Sequence, residues 1–222
     1  MMFTELEASG FSHKGTFYIG EFETLLSKVV SCYNLMLSAS HILANDENEI
    51  RDILLISYLK DTKVRQSLQL EDFLFDREVP EDTTIGRTDI KIQTLNTFKD
   101  TSAYYILECK RLDSTNTEGT TGLNAKYIEK GICRFTTNYY SSSYRVNGMI
   151  GFIVDKVHIH ENIGKINTLL DSFKQANSVI KLSRANFING FEYHYQSKHL
   201  NTDQKEIVLF HLMLDVLSKM AK

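Results

Sequence analysis

Residues 86–112, GRTDIKIQTLNTFKDTSAYYILECKRL, decide the fold predicted from this sequence. The first third alternates apolar and polar residues and the last third is strongly apolar, so each is predicted to be a strand. Strand side chains alternate between the two faces of a sheet, which places Glu108 and Lys110 on one face and Cys109 on the other. If the two strands are neighbours, Asp89 joins this pair at a sheet edge. Two carboxylates and one ammonium would then be suited to hold a divalent metal ion beside a phosphodiester.

Periodicity along the rest of the chain predicts one domain in three parts. Residues 1–70 are mainly helical and begin with a short arm or hairpin, 71–155 carry the core strands and a helix, and 156–222 carry a helix and further strands. The predicted elements are helices at 21–43, 47–60, 62–70, 123–140 and 159–176, strands at 73–79, 87–95, 103–112, 147–154 and 191–195, and 207–217 as either a strand or a helix. This order predicts an α/β fold, a central mixed sheet flanked by helices.

Composition restricts the class of protein further. The 222 residues are 42% hydrophobic, enough for one domain with a sizeable core. The net charge of −3 argues against a general nucleic-acid-binding surface, but residues 104–145 hold six basic and four acidic residues. Three widely spaced cysteines match neither a disulfide framework nor a zinc site. With no signal pattern and no apolar run of membrane length, we expect a cytoplasmic protein without a membrane partner.

A known superfamily shares the central pattern. Asp89, Glu108 and Lys110, with 18 residues between the two acids, match the motif D…ExK, and the chain resembles the PD-(D/E)XK, or restriction-endonuclease-like, nuclease superfamily. The resemblance covers the middle of the chain, where the predicted order of helix, strands, helix and strand agrees with that family. The proline that precedes the family's aspartate is not matched, because Thr88 precedes Asp89 and Pro80 lies nine positions earlier.

The resemblance implies a Mg²⁺-dependent nuclease, a hydrolase of phosphodiester bonds, with Mn²⁺ as a substitute metal. Asp89, Glu108 and the backbone carbonyl of Cys109 would bind the metal, since Mg²⁺ prefers hard oxygen ligands. Lys110 would orient or deprotonate the attacking water, or stabilise the transition state. A lysine that acts as a base needs a lowered pKa, and the sequence does not choose between these roles.

Many members of the family add an acid from a helix that precedes the core. Glu49, in NEIRDILLISYLK, is the choice here for a catalytic or metal-binding role, and Glu47 and Asp52 are its competitors. The alternative is that Glu49 has no role in a site and only stabilises the N-terminus of its helix, by interaction of its negative charge with the helix dipole.

Basic and aromatic residues near the motif are candidates for binding nucleic acid. Lys130 and Arg134 are four apart on a predicted helix and would share a face. Gly131 lies between them and has no side chain, so another part of the backbone can approach closely there. The candidates for contact with phosphates or bases are Lys130, Arg134, Arg111, Arg87 and Tyr127. A solvated helix face is the alternative for the first two, and a core position is the alternative for Tyr127.

The resemblance implies DNA as the first substrate to test and RNA as the second, and it allows a homodimer. The main alternative is a catalytically inactive protein of the same fold that binds nucleic acid or a protein partner. Retention of the Asp, Glu and Lys together favours the enzyme, because a binding protein has no need of all three.

Overall fold

The structure is a computed structural model that describes residues 13–82 and 84–221, with the backbone alone for residues 13–16. Within these residues, seven strands form one mixed sheet in the order β1-β2-β3-β4-β7-β6-β5. The strands are β1 (Leu74–Pro80), β2 (Arg87–Gln93), β3 (Tyr104–Leu112), β4 (Val146–Ile153), β5 (Ser178–Arg184), β6 (His194–Leu200) and β7 (Glu206–Asp215). The α-helices are α1 (His13–Ser38), α2 (Glu47–Leu54), α3 (Thr62–Leu68), α4 (Leu123–Tyr127), α5 (Cys133–Thr136) and α6 (Ile159–Leu169).

Two helices among the described residues contain π-helical turns. The first, Leu55–Leu59, continues α2, and the second, Ile128–Ile132, joins α4 to α5 into one continuous helix. Short 3₁₀ helices complete the elements: Leu95–Phe98, Leu170–Ser172, Lys174–Ala176 and Leu217–Lys219. Such π turns are rare and are often found at functional sites. The second one lies in the helix that crosses over β3, so that helix is a candidate part of a functional site.

The sheet changes from antiparallel to parallel at its centre. β1, β2 and β3 form an antiparallel meander, β3 pairs with β4 and β4 with β7 in parallel, and β6 and β5 complete the sheet in antiparallel. The continuous α4–α5 helix makes the crossover from β3 to β4, as parallel strands require. This connection places a helix directly over the face of β3.

Helices cover both faces of the sheet and bury two apolar layers. The residues of β3 alternate between these layers: Cys109 and Leu107 lie in the layer beneath α1, and Ile106 lies in the layer beneath α4 and α6. Glu108 and Lys110 therefore share the α4–α5 side of the sheet, which confirms the predicted alternation.

A backbone clasp ties the approach to α2 to the segment that follows β7. The N–H of Leu43 donates to the carbonyl of Lys219 at 2.8 Å, and the N–H of Ala221 donates to the carbonyl of Leu43 at 2.9 Å. Leu43 is fully buried, so this clasp fixes where α2 begins.

The prediction of a mixed sheet flanked by helices is confirmed, and the segment 207–217 proves to be a strand. Several boundaries were wrong. Residues 13–20 belong to α1 rather than to an arm or hairpin, while residues 1–12 lie outside the described residues. The helix predicted over 123–140 ends at Thr136, and the helix predicted over 159–176 continues past Leu169 only as short 3₁₀ turns.

The sequence also missed one strand and shifted another. β5 was not predicted, because it is an edge strand whose Val179 and Ile180 are about half exposed and whose pairing with β6 is irregular. The strand predicted at 191–195 begins at His194 and continues to Leu200. Within the described residues, no helix has both the length and the apolar character needed to cross a membrane.

Candidate active site

Asp89 and Glu108 meet where β2 and β3 separate. The paired register of these strands ends at Ile90 and Leu107, so the next residues in line are Asp89 and Glu108. Here the N–H of Cys109 donates to Asp89 Oδ2 at 2.8 Å, whereas a regular ladder would use a backbone carbonyl. The side chain of Asp89 thus replaces a backbone partner, and its carboxylate enters the site beside Glu108.

The ammonium of Lys110 lies at the centre of the site. Its Nζ is 2.7 Å from Glu108 Oε1 and 3.6 Å from Asp89 Oδ2. It is also 3.1 Å from Glu47 Oε1 and donates to the carbonyl of Cys109 at 2.5 Å. We call these four oxygens, which come from α2, β2 and β3, the oxygen cage.

The electrostatics of the oxygen cage keep Lys110 charged. Lys110 is 7% exposed, and burial alone would lower its pKa. The charges of Glu108, Asp89 and Glu47 outweigh burial and raise the pKa of Lys110 above that of a free lysine. Lys110 is therefore an ammonium in this arrangement, a proton donor and not a base.

Glu108 is the most enclosed group of the site. It is 0% exposed, and three donors hold it: Lys110, the Nη1 of Arg134 at 2.5 Å from Oε1, and the hydroxyl of Tyr140 on Oε2. Burial and the charge of Asp89 raise the pKa of Glu108 to about 7, against the opposing charges of Lys110 and Arg134. Because all its partners donate, Glu108 has the hydrogen-bonding pattern of an ionised carboxylate.

The helical acid of the site is Glu47. Its Oε1 contacts Lys110 and its Oε2 accepts the backbone N–H of Arg111 at 2.8 Å. Glu49, the acid chosen from the sequence, is exposed, and no ion pair or side-chain hydrogen bond of it occurs within the described residues. Successive helical residues are rotated by about 100°, so acids two positions apart point in nearly opposite directions. The choice of Glu49 is thus corrected to Glu47, one of its two competitors.

The other competitor, Asp52, contributes to the site indirectly through Arg51. Arg51 is 3% exposed, and its Nη1 lies 2.5 Å from Glu78 Oε1 and 3.5 Å from Asp89 Oδ1. Its Nε donates to Asp52 Oδ1 at 2.9 Å. Glu78 holds a left-handed φ of 53° inside β1, a conformation that costs a non-glycine residue about 1 to 2 kcal/mol. Arg51 therefore links α2, β1 and β2 behind the carboxylate of Asp89.

A basic pocket adjoins the oxygen cage. It has a volume of about 300 Å³ and is lined by Asp46, Glu47, Lys110, Arg111, Leu123, Lys126, Lys130 and Arg134. Five of these eight residues are cationic and two are acidic. The predicted pair Lys130 and Arg134 thus reaches one pocket, with Lys130 exposed and Arg134 bound to Glu108. Lys126 was not among the sequence candidates, although it lies one helical turn before Lys130.

At the second π turn, the α4–α5 helix lies close to β3 and β4. A Cβ placed on Gly131 would lie 2.4 Å from Cε of Met149 and 3.7 Å from Cγ of Lys110. The absence of a side chain at Gly131 therefore permits this approach, which aims Lys130 and Arg134 at the pocket.

The other three residues predicted to contact nucleic acid lie outside the centre of the basic pocket. The guanidinium of Arg111 donates to Oδ1 of Asn45 at 2.6 Å at the rim of the pocket. Arg87 is exposed on β2, outside the pocket lining, and donates to the carbonyl of Glu78 at 3.2 Å. Tyr127 is fully buried, so the prediction that it contacts nucleic acid is wrong and its core alternative is confirmed.

Tyr127 instead belongs to a buried chain of hydrogen bonds in the layer between the sheet and helices α4 and α6. Its hydroxyl lies 2.8 Å from His211 Nδ1, and Ser197 Oγ lies 2.7 Å from both His211 Nε2 and His199 Nε2. His199 Nδ1 lies 2.7 Å from the carbonyl of Ala176, which can only accept. Every group is satisfied if both imidazoles are neutral, and burial lowers the pKa of His199 to about 4 and that of His211 well below its usual value.

The structure thus brings together Asp89, Glu108, Lys110 and the Cys109 carbonyl, and it adds groups that the sequence did not single out for the site: Arg51 and Tyr140. Within residues 13–82 and 84–221, no three His, Cys, Asp or Glu side chains are already arranged to hold a metal ion directly. Comparison of the chain with models of protein families, with curated proteins and with solved structures gives no match. The case for a function therefore rests on the geometry of the site.

Proposed function

We propose that this protein is a metal-dependent nuclease with a restriction-endonuclease-like fold, acting first on DNA. The observation that carries the proposal is the oxygen cage. Two carboxylates from adjacent strands, a carboxylate from a preceding helix and one backbone carbonyl surround a single cation, the ammonium of Lys110. The mixed sheet with a helix crossing over β3 agrees with the order expected for that superfamily.

The donor set of the cage fits a magnesium ion. All four atoms are hard oxygens, and they already surround one positive charge. Asp89, Glu108 and the carbonyl of Cys109 would hold the ion, and Glu47 would supply a further oxygen. When bound, such an ion supplies a water of lowered pKa and neutralises negative charge on the scissile phosphate.

The residues around the cage have separable tasks in this proposal. Lys110 would donate hydrogen bonds that orient the attacking water or stabilise the charge of the transition state; in the arrangement without metal, its three carboxylate neighbours keep it a cation. Lys126 and Lys130 place exposed positive charge in the basic pocket, where phosphates of the substrate would bind. Arg134 and Tyr140 fix the orientation of Glu108.

A cleavage assay tests the proposal. The protein is incubated with supercoiled plasmid, single-stranded DNA and single-stranded RNA in Mg²⁺, Mn²⁺ or EDTA, beside an Asp89→Asn variant. The matched control is Asp76→Asn on β1, since Asp76 is partly exposed and its one ion pair within the described residues, with Lys60 at 3.6 Å, lies outside the site. We expect metal-dependent cleavage that falls about 100-fold or more in Asp89→Asn and is unchanged in the control. Absence of cleavage with every substrate and metal would overturn the proposal, as would equal rates in all three proteins.

The second candidate is a binding protein of the same fold without catalysis. The observation that favours it is that each carboxylate of the cage already has a cationic partner. Tight binding of DNA that needs no metal, without cleavage, would select this candidate. Binding to neither DNA nor RNA would direct attention to a protein partner.

A further inference from the structure

The oxygen cage is already filled by a positive charge that belongs to the protein. The Nζ of Lys110 lies within 3.6 Å of three carboxylate oxygens and donates to the carbonyl of Cys109. Within the described residues, no three His, Cys, Asp or Glu side chains are arranged to hold a metal ion, and the four oxygens of the cage surround the ammonium of Lys110 instead. A metal ion and the ammonium would need the same oxygens.

We infer that Lys110 is a resident cation that an entering metal ion displaces, so the affinity of the site for metal is set by an exchange of one cation for another. The inference rests on the proposed function for the identity of the ion. In the free protein, the ammonium neutralises part of the charge of Glu47, Asp89 and Glu108. A divalent ion that enters the cage would neutralise these carboxylates in place of the ammonium, and the ammonium would be released.

The basic pocket can receive the displaced side chain of Lys110. Lys110 lines both the oxygen cage and the basic pocket, so rotation of its side chain moves the ammonium from one to the other without breaking β3. In the pocket it would lie among Lys126, Lys130 and Arg134, where a substrate phosphate is the group that would compensate its charge. The exchange therefore delivers Lys110 to the position where its donors face the substrate.

The exchange is tested by metal binding, without a substrate. Binding of Mn²⁺ is measured by titration calorimetry and by the electron paramagnetic resonance of free Mn²⁺ for the natural protein, Lys110→Met and Lys130→Met. Lys130 is the matched control, because it lines the same pocket but pairs with Glu129 at 3.0 Å and lies outside the cage. We expect Lys110→Met to bind Mn²⁺ at least about 10-fold more tightly than the natural protein, since an internal competitor is removed, and Lys130→Met to differ by less than about 3-fold.

A second measurement uses the natural protein, in case Lys110→Met does not fold. Amine labelling read by mass spectrometry reports the accessibility of individual lysines, with the exposed Lys63 as the internal standard. Buried Lys110 should label slowly in EDTA and several-fold faster with saturating Mn²⁺, while Lys63 is unchanged.

The two proposals fail separately. Equal Mn²⁺ affinity in the natural protein and Lys110→Met, or Lys110 labelling that does not respond to bound Mn²⁺, would overturn the exchange while leaving metal-dependent cleavage intact. Tighter binding in Lys110→Met together with a natural protein that cleaves nothing would support the exchange and overturn the nuclease. Failure of all three proteins to bind Mn²⁺ would overturn both.

Discussion

The hydrogen-bond chain through His199 and His211 makes the stability of the fold sensitive to mild acid. His199 has its pKa lowered from 6.5 to about 4 by burial, so the unfolded chain takes up a proton there before the folded protein does. The contribution of His199 to stability is complete above pH 6.5 and is lost progressively as the pH falls towards 4. Between pH 7.5 and 5.5, the two pKa values give a loss of about 1.3 kcal/mol in the free energy of unfolding from this residue.

The assay is urea unfolding at both pH values for the natural protein and His199→Asn. The asparagine amide keeps a donor for the carbonyl of Ala176 but does not titrate. His199→Asn should be less stable at pH 7.5, because it loses the hydrogen bond to Ser197, and it should lose about 1.3 kcal/mol less than the natural protein on going to pH 5.5. Glu108, whose raised pKa acts in the opposite direction, is common to both proteins and cancels in this difference. Equal losses in the two proteins would refute the reasoning.

Two substitutions near the site have expected effects of defined size. Glu78 has a left-handed φ of 53°, so the Glu78→Gly variant should be more stable than Glu78→Ala by about 1 kcal/mol. Both variants lose the carboxylate, and only the alanine variant keeps the cost of the left-handed backbone. Equal melting temperatures of the two variants in calorimetry would contradict this. Tyr140→Phe removes a donor from buried Glu108 and should cost about 1 to 3 kcal/mol in urea unfolding. Tyr139→Phe is its control, since the Tyr139 hydroxyl has no hydrogen bond within the described residues, and a comparable loss in both variants would count against the role of Tyr140.

The strand residues of the site could be predicted because their geometry follows from a short period. The alternation of faces along β3 is enough to place Glu108 with Lys110, and the antiparallel neighbour brings Asp89 opposite. What the sequence could not show is the separation of β2 and β3 at this point. That separation depends on a side chain of one strand replacing a backbone acceptor of the other.

The helical residues of the site were harder to predict. The choice between Glu47 and Glu49 depends on the rotation of α2 about its axis. Asp46 caps the helix locally, but its rotation also depends on tertiary contacts such as the clasp at Leu43. Arg51 sits in a helix rich in charged residues and has partners on two distant strands, so no local pattern marks it as part of the site.

Two further features lacked any signal in the periodicity. Tyr140 follows the end of α5 and reaches Glu108 from 32 positions along the chain, where it reads as one more aromatic core residue. The π turns shift the helical register by one residue over a single turn, which a pattern of apolar spacing does not resolve.

Because of the clasp at Leu43, a truncation at the C-terminal end would affect the site. A deletion that begins at Val216 would keep every charged side chain of the oxygen cage, yet it would remove the backbone partners of Leu43, four residues before Glu47. Such a fragment would retain the strand acids and lose the orientation of the helical one. During synthesis, likewise, we expect Glu47 to reach its final orientation only after the distant segment 219–221 has left the ribosome, so that the site assembles late in folding.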